Sequence, residues 1–119
     1  MATPKVLSAS LAESAASLAA FVADEQNLRA AESFVDAAFR TVDSGARIFV
    51  CGNGGSMSDA MHFAAEWTGR FRQSRRALPA MALCDPSVLS CIANDFGYEE
   101  VFARQIEAHG RAGDLLVVI

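Results

Sequence analysis

At 119 residues, 52% hydrophobic and 20% charged, the chain has room for one domain with a core of its own and not for two. A formal net charge of −4 argues against the broad basic face of a general nucleic-acid binder. No uninterrupted apolar run approaches the roughly 20 residues of a membrane span, and Met1 to Val6 carries one Lys with no signal-like apolar stretch behind it, so a soluble protein is expected.

Along the chain, Leu7, Leu11, Leu18, Phe21 and Val22 recur at helical spacing and predict an amphipathic helix from Leu7 to about Gln26. A second helix, beginning near Leu28, carries Ala31, Phe34, Val35, Ala38, Phe39 and Val42 on one side and ends at Asp43, Ser44 and Gly45. Residues 1–45 are therefore expected to form an antiparallel helical hairpin. Its apolar faces are generous for so small a domain, and they serve either the chain's own core or contact with another subunit.

From residue 46 the pattern changes to a short apolar strand at Ile48, Phe49, Val50 and Cys51, the loop Gly52-Asn53-Gly54-Gly55-Ser56, and a helix closed by Gly69. Ser56 and Asp59 have the spacing of a capping box, and a helix start after small residues suits an anion. His62, Glu66 and Arg70 follow at four-residue steps, which places a ligand, a base and a cation on one predicted stripe. Arg70, Arg72, Arg75 and Arg76 form a basic run, read first as a solvated loop and second as a phosphate or partner contact.

Leu78 to Cys84 predicts a second strand buried on both faces, and Asp85-Pro86 an N-cap and first helical residue. That helix is expected to stop around Asn94 to Gly97. Another carries Val101, Phe102, Gln105 and Ile106, with His109 in its last turn and Gly110 after it. Leu115 to Ile119 reads as a third strand. Apolar strands alternating with helices define an α/β protein with a parallel sheet, whose ligands sit beyond the strands' carboxyl ends, at Gly52, at Asp85 and after Ile119. A third strand with no covering helix predicts that residues 46–119 are the N-terminal part of a larger α/β domain, the C-terminal part of the sheet being absent from this chain, or that the missing strands come from elsewhere.

The glycine loop matches neither the dinucleotide fingerprint nor the P-loop, so a small phosphate ester is favoured over a nucleotide, with a purely structural turn as the alternative to anion binding. His62 and Glu66 form either a metal-binding pair or a simple side-chain pair, and two donors leave a zinc site unfinished. His109 reads as a helix-dipole partner, Met57, Met61 and Trp67 as core, and Asp95 as a loop residue that is either a ligand contact or a turn former. Cys51, Cys84 and Cys91 are odd in number and lack paired spacing, which suits buried free thiols in a reducing cytoplasm.

Taken together, Cys51 to Ser56 (CGNGGS), Asp59 to Glu66 (DAMHFAAE), Thr68-Gly69-Arg70 and Asn94 to Gly97 (NDFG) closely resemble the phosphoheptose isomerases of the sugar isomerase (SIS) domain family, over nearly the whole chain. The resemblance implies a flavodoxin-like parallel sheet, a cytoplasmic homotetramer assembled through the N-terminal helices, and conversion of sedoheptulose 7-phosphate to D-glycero-D-manno-heptose 7-phosphate for lipopolysaccharide precursors. It implies substrate contacts by Asn53, Gly54, Gly55, Ser56, Glu66, Arg70, Asn94 and Asp95, zinc ligation by His62 and Glu66, and acid/base catalysis by Glu66. Further parts of the family's site have no counterpart before Ile119, so no turnover is expected from these 119 residues alone. Neither a nucleic acid nor a membrane is an expected partner. Some SIS relatives instead bind the bacterial replication initiator or sense sugar phosphates without catalysis; Glu66 beside His62, and the lack of a preceding DNA-binding helix pair, favour the enzyme.

Overall fold

The computed structural model describes residues 4–119. In chain order the elements are α1 (Pro4–Ala23), α2 (Glu25–Asp43), β1 (Ile48–Cys51), α3 (Gly55–Thr68), β2 (Ala80–Ala82), α4 (Pro86–Phe96), a short 3-10 turn (Tyr98–Glu100), α5 (Ala103–His109) and β3 (Leu115–Val118). They divide into two compact units, the first ending at Asp36 and the second starting at Ala37.

In the first unit a single residue, Asp24, separates α1 from α2. Its amide donates to the Phe21 carbonyl at 3.3 Å, and its side chain accepts from the Gln26 amide at 2.8 Å, so it ends one helix and caps the next. The predicted antiparallel hairpin is thereby corrected. Reversing a helix takes a connection of about 2 to 8 residues, and the described side chains of α1 are exposed throughout rather than buried against α2. Leu7, Leu11 and Leu18 are each more than 60% exposed. By length and composition Lys5–Ala23 is apolar enough to cross a membrane, unlike the expectation from uninterrupted apolar runs, because Ala dominates between its few polar residues.

In the second unit the three strands are parallel in the order β2-β1-β3, which matches the first three strands of a flavodoxin-like sheet. Alternation along β1 sends Ile48 and Val50 to one face, where they pack with Ala38 and Val42 of α2, Ala60 of α3, and Phe63, Trp67, Ala80, Ala82, Leu115 and Val117. Phe49 and Cys51 face the other way, against Leu83, Phe102 and Ile106. The central strand is buried on both faces as expected, but the outer two are not. Met81 is 52% exposed and Val118 72%. The seven-residue α5 packs through Ile106 against the central strand on that second face.

Local signals near the sheet hold. Asp85 caps α4 by accepting from the Ser87 and Val88 amides at 2.8 and 3.0 Å, with Pro86 in the first turn as predicted. Its carboxyl is held below the usual range by the Ser87 hydroxyl first and then by those two amides. At the opposite edge, the carbonyl of His109 ends α5 and accepts from the Arg47 guanidinium at 2.7 Å. That helix end is thus met by a cation from another element.

Candidate functional site

The site is built outward from the carboxyl end of β1. Gly52 is buried where the chain doubles back over α3, and a Cβ there would stand 2.7 Å from the Ser56 Cβ and 2.9 Å from its carbonyl. Gly54 caps α3 with φ +57°, a conformation that side chains disfavour. The helix therefore starts at Gly55. Ser56 sits inside its first turn, its amide bonded to the Asn53 carbonyl at 3.1 Å, so the predicted Ser56–Asp59 capping box does not form. Two glycines let the backbone turn earlier than the Ser signal suggested. Asn53, Gly54 and Gly55 are exposed beside a helix N-terminus, the arrangement in which backbone amides and the helix dipole favour an anion.

Sequence reasoning missed the partner of this loop. The Tyr98 hydroxyl donates to Asn53 Oδ1 at 2.6 Å across 45 positions, tying the glycine loop to the turn that follows α4. Nothing in the spacing of either segment announces that contact.

On α3, His62 Nε2 lies 3.2 Å from Glu66 Oε1, one helical turn apart. The second carboxylate oxygen, Oε2, is buried and has no hydrogen-bond partner among the described residues. Such an oxygen calls for a proton, a hydroxyl donor or a cation. Arg70 does not share the stripe, because α3 stops at Thr68, Gly69 donates back to the Ala65 carbonyl at 2.8 Å, and Arg70 lies beyond. A four-residue step has geometric meaning only while the helix continues. In the basic run, Arg75 donates to the carbonyls of Glu66 at 2.6 Å and of Trp67 at 2.9 Å, closing the C-terminal end of α3. Arg72 lies over the Phe71 ring at 4.9 Å. The helix cap, not a ligand, explains Arg75.

Asn94 and Asp95 belong to the last turn of α4 rather than to a loop. Gly97, with φ +102°, ends that helix, within the predicted span from Asn94 to Gly97. Asn94 Nδ2 donates to Asp95 Oδ1 at 2.9 Å, and the Cys91 thiol approaches Asp95 Oδ2 at 3.6 Å. All three cysteines are free, but only Cys51 is buried, its thiol pKa pushed up by that burial; Cys84 is half-buried and Cys91 exposed, a correction to the expected three buried thiols. Of the predicted core residues on α3, Trp67 packs on the core and stacks on Phe63 at 5.4 Å, whereas Met61 is exposed.

The structure thus joins Asn53 to Ser56 at one helix start, pairs His62 with Glu66 and Asn94 with Asp95, and ties the glycine loop to the segment after α4 through Tyr98. As a metal site, His62 and Glu66 offer one imidazole nitrogen and one carboxylate with an unsatisfied oxygen, a chemistry that suits zinc. Their number does not complete one. An open catalytic zinc normally takes three protein ligands, and no three His, Cys, Asp or Glu residues are placed to hold a metal ion among the described residues.

The profile of the SIS domain matches residues 11–119. A phosphoheptose isomerase of Sodalis glossinidius is 50% identical over 99 residues, which are 83% of this chain and 51% of that protein. One from Haemophilus ducreyi is 51% identical over 106 residues, 89% of this chain and 55% of that protein. Among solved structures, a phosphoheptose isomerase from Neisseria gonorrhoeae superimposes with a TM-score of 0.67 at 40% identity, covering 91% of this chain and 59% of that one. One from Francisella tularensis gives 0.68 at 29% identity, covering 92% and 60%. The chain spans about half the length of the curated relatives it matches. With its parallel sheet, glycine loop and matching profile, the chain belongs to the SIS domain family.

Proposed function

We propose that this chain forms the substrate-loop half of a phosphoheptose isomerase, a sugar-phosphate isomerase of heptose biosynthesis that converts sedoheptulose 7-phosphate to D-glycero-D-manno-heptose 7-phosphate. The observation that carries the reading is the buried, partnerless Oε2 of Glu66, on a helix that starts at the glycine loop, in a chain whose relatives bear that name. A ketose-to-aldose conversion removes a proton from C1, passes through an enediol and returns a proton to C2. Glu66 is the carboxylate assigned to that transfer, and His62, hydrogen-bonded to its other oxygen, orients it. Asn53, the Gly54 and Gly55 backbone and Ser56 bind the sugar phosphate at the α3 N-terminus, where positive dipole and small residues favour close approach of oxygen-rich groups. Asn94, Asp95 and Arg70 are assigned further contacts with substrate oxygens. Zinc, with His62 and Glu66 as two of its ligands and the rest supplied from elsewhere, would stabilise developing negative charge on the substrate oxygen when bound.

In this reading the protein is a cytoplasmic homotetramer, with no nucleic-acid or membrane partner, that serves lipopolysaccharide precursor synthesis. The exposed leucines and phenylalanines of α1 and α2 support assembly through those helices. These 119 residues alone are expected to show no turnover. The test is an isomerase assay with metal analysis on the complete polypeptide as made in its source organism. Conversion of sedoheptulose 7-phosphate that falls by about 100-fold or more in Glu66→Gln supports the reading, on the scale of a general acid/base group. No conversion by the parent, with sugar-phosphate or replication-initiator binding unaffected by Glu66→Gln, would instead support a non-catalytic SIS protein.

A further inference from the structure

The glycine loop has little stiffness of its own, because Gly52 and Gly54 flank Asn53. What holds that side chain is the Tyr98 hydroxyl, 2.6 Å from Asn53 Oδ1. Tyr98 is itself set on a firm base. It opens a 3-10 turn whose end is anchored by Val101, 1% exposed, and the Val101 carbonyl accepts from the buried Gln105 side chain at 2.7 Å. The preceding Gly97 has φ +102°, and a Cβ there would meet the Glu99 carboxylate at 2.8 Å, so the chain enters this turn in a shape that glycine permits. A rigid turn therefore reaches across to a soft loop through one hydrogen bond.

We infer that Tyr98 is a positioning residue: its hydroxyl orders the glycine loop and, by occupying the Asn53 acceptor oxygen, turns the Asn53 amide nitrogen out as a hydrogen-bond donor for an oxygen-rich ligand. The amide carries one acceptor end and one donor end, so committing Oδ1 to Tyr98 leaves Nδ2 to face the ligand. The ordering of the loop stands on the geometry alone. The choice of a sugar phosphate as that ligand rests on the isomerase reading above.

The two parts separate experimentally in the complete polypeptide with Tyr98→Phe and Asn53→Asp. Asn53→Asp keeps an oxygen for Tyr98 and removes the donor. In the ligand-free protein, backbone amide resonances of Gly52, Gly54 and Gly55, far in sequence from the substitution, are expected to shift or broaden in Tyr98→Phe. In kinetics with sedoheptulose 7-phosphate, Tyr98→Phe is expected to raise KM about fivefold, as for one lost hydrogen bond, and Asn53→Asp at least as much because it also sets a carboxylate beside an anionic ligand, with kcat changed less in both. Unmoved glycine resonances in Tyr98→Phe overturn the inference. Moved resonances with an unchanged KM overturn the donor role. Moved resonances in a protein that converts no sugar phosphate leave the loop-ordering role standing and remove the isomerase reading instead.

Discussion

Asp114, at the head of β3, accepts both the backbone amide of Arg47 at 2.8 Å and its guanidinium at 3.0 Å, 67 positions away at the head of β1. A third bond comes from the Arg111 amide at 2.9 Å, and the carboxylate side chain is only 8% exposed. One side chain therefore holds two neighbouring parallel strands at their starting edge. Burial alone pushes the carboxyl pKa up, but the Arg47 and Arg111 amides and the Arg47 guanidinium outweigh it and hold the group below its ordinary value.

That balance has a pH signature. A carboxyl whose folded pKa is depressed contributes stability above its unfolded pKa of about 3.9 and loses it as pH falls through the folded value. Asp114→Asn is expected to cost about 1–3 kcal/mol at pH 7. The gap from the parent should narrow as the pH is lowered below about 4, read by chemical denaturation across that range.

Arg75 is expected to matter through α3 rather than through a ligand. Arg75→Ala removes the donors on the Glu66 and Trp67 carbonyls and should lower stability by about 1–2 kcal/mol. Arg72→Ala, whose guanidinium only overlies the exposed Phe71, should stay within about 0.5 kcal/mol. Thermal melts of the two variants check the contrast, and equal effects would overturn it.

Three neighbouring glycines should answer differently to Ala. Gly52→Ala drives a Cβ into Ser56, and Gly54→Ala forces a side chain into positive φ; each is expected to destabilise by about 1–3 kcal/mol. Gly55→Ala places a methyl in open space at the first residue of α3 and should be neutral or stabilising by up to about 1 kcal/mol. Denaturation of the three variants gives the ranking directly.

The exposed apolar side chains of α1 carry the assembly reading. Replacing Leu11 and Leu18, 62% and 66% exposed, by Gln should leave the helix intact, since neither packs in a core here. The double variant is expected to sediment as a smaller species than the parent at equal concentration. Unchanged sedimentation would remove α1 from the interface.

What the sequence determined by itself were features whose cause lies within a few residues. Apolar periodicity marked the helices and strands, Asp85-Pro86 marked the start of α4, and the motifs from Cys51 to Arg70 and from Asn94 to Gly97 marked the family. Where two local signals competed, structure decided between them: Gly54 overrode Ser56 as the cap of α3, and Gly69 ended the helix before the stripe could include Arg70. Only the tertiary structure decided which strand is covered on both faces, since that depends on which neighbours and helices lie against it. It also decided that Arg75 closes α3, that Asp114 joins the starts of β1 and β3, and that Tyr98 meets Asn53. Each of those depends on a hydrogen bond a few ångströms long between groups 8 to 67 positions apart, which chain folding brings together and local sequence spacing does not encode.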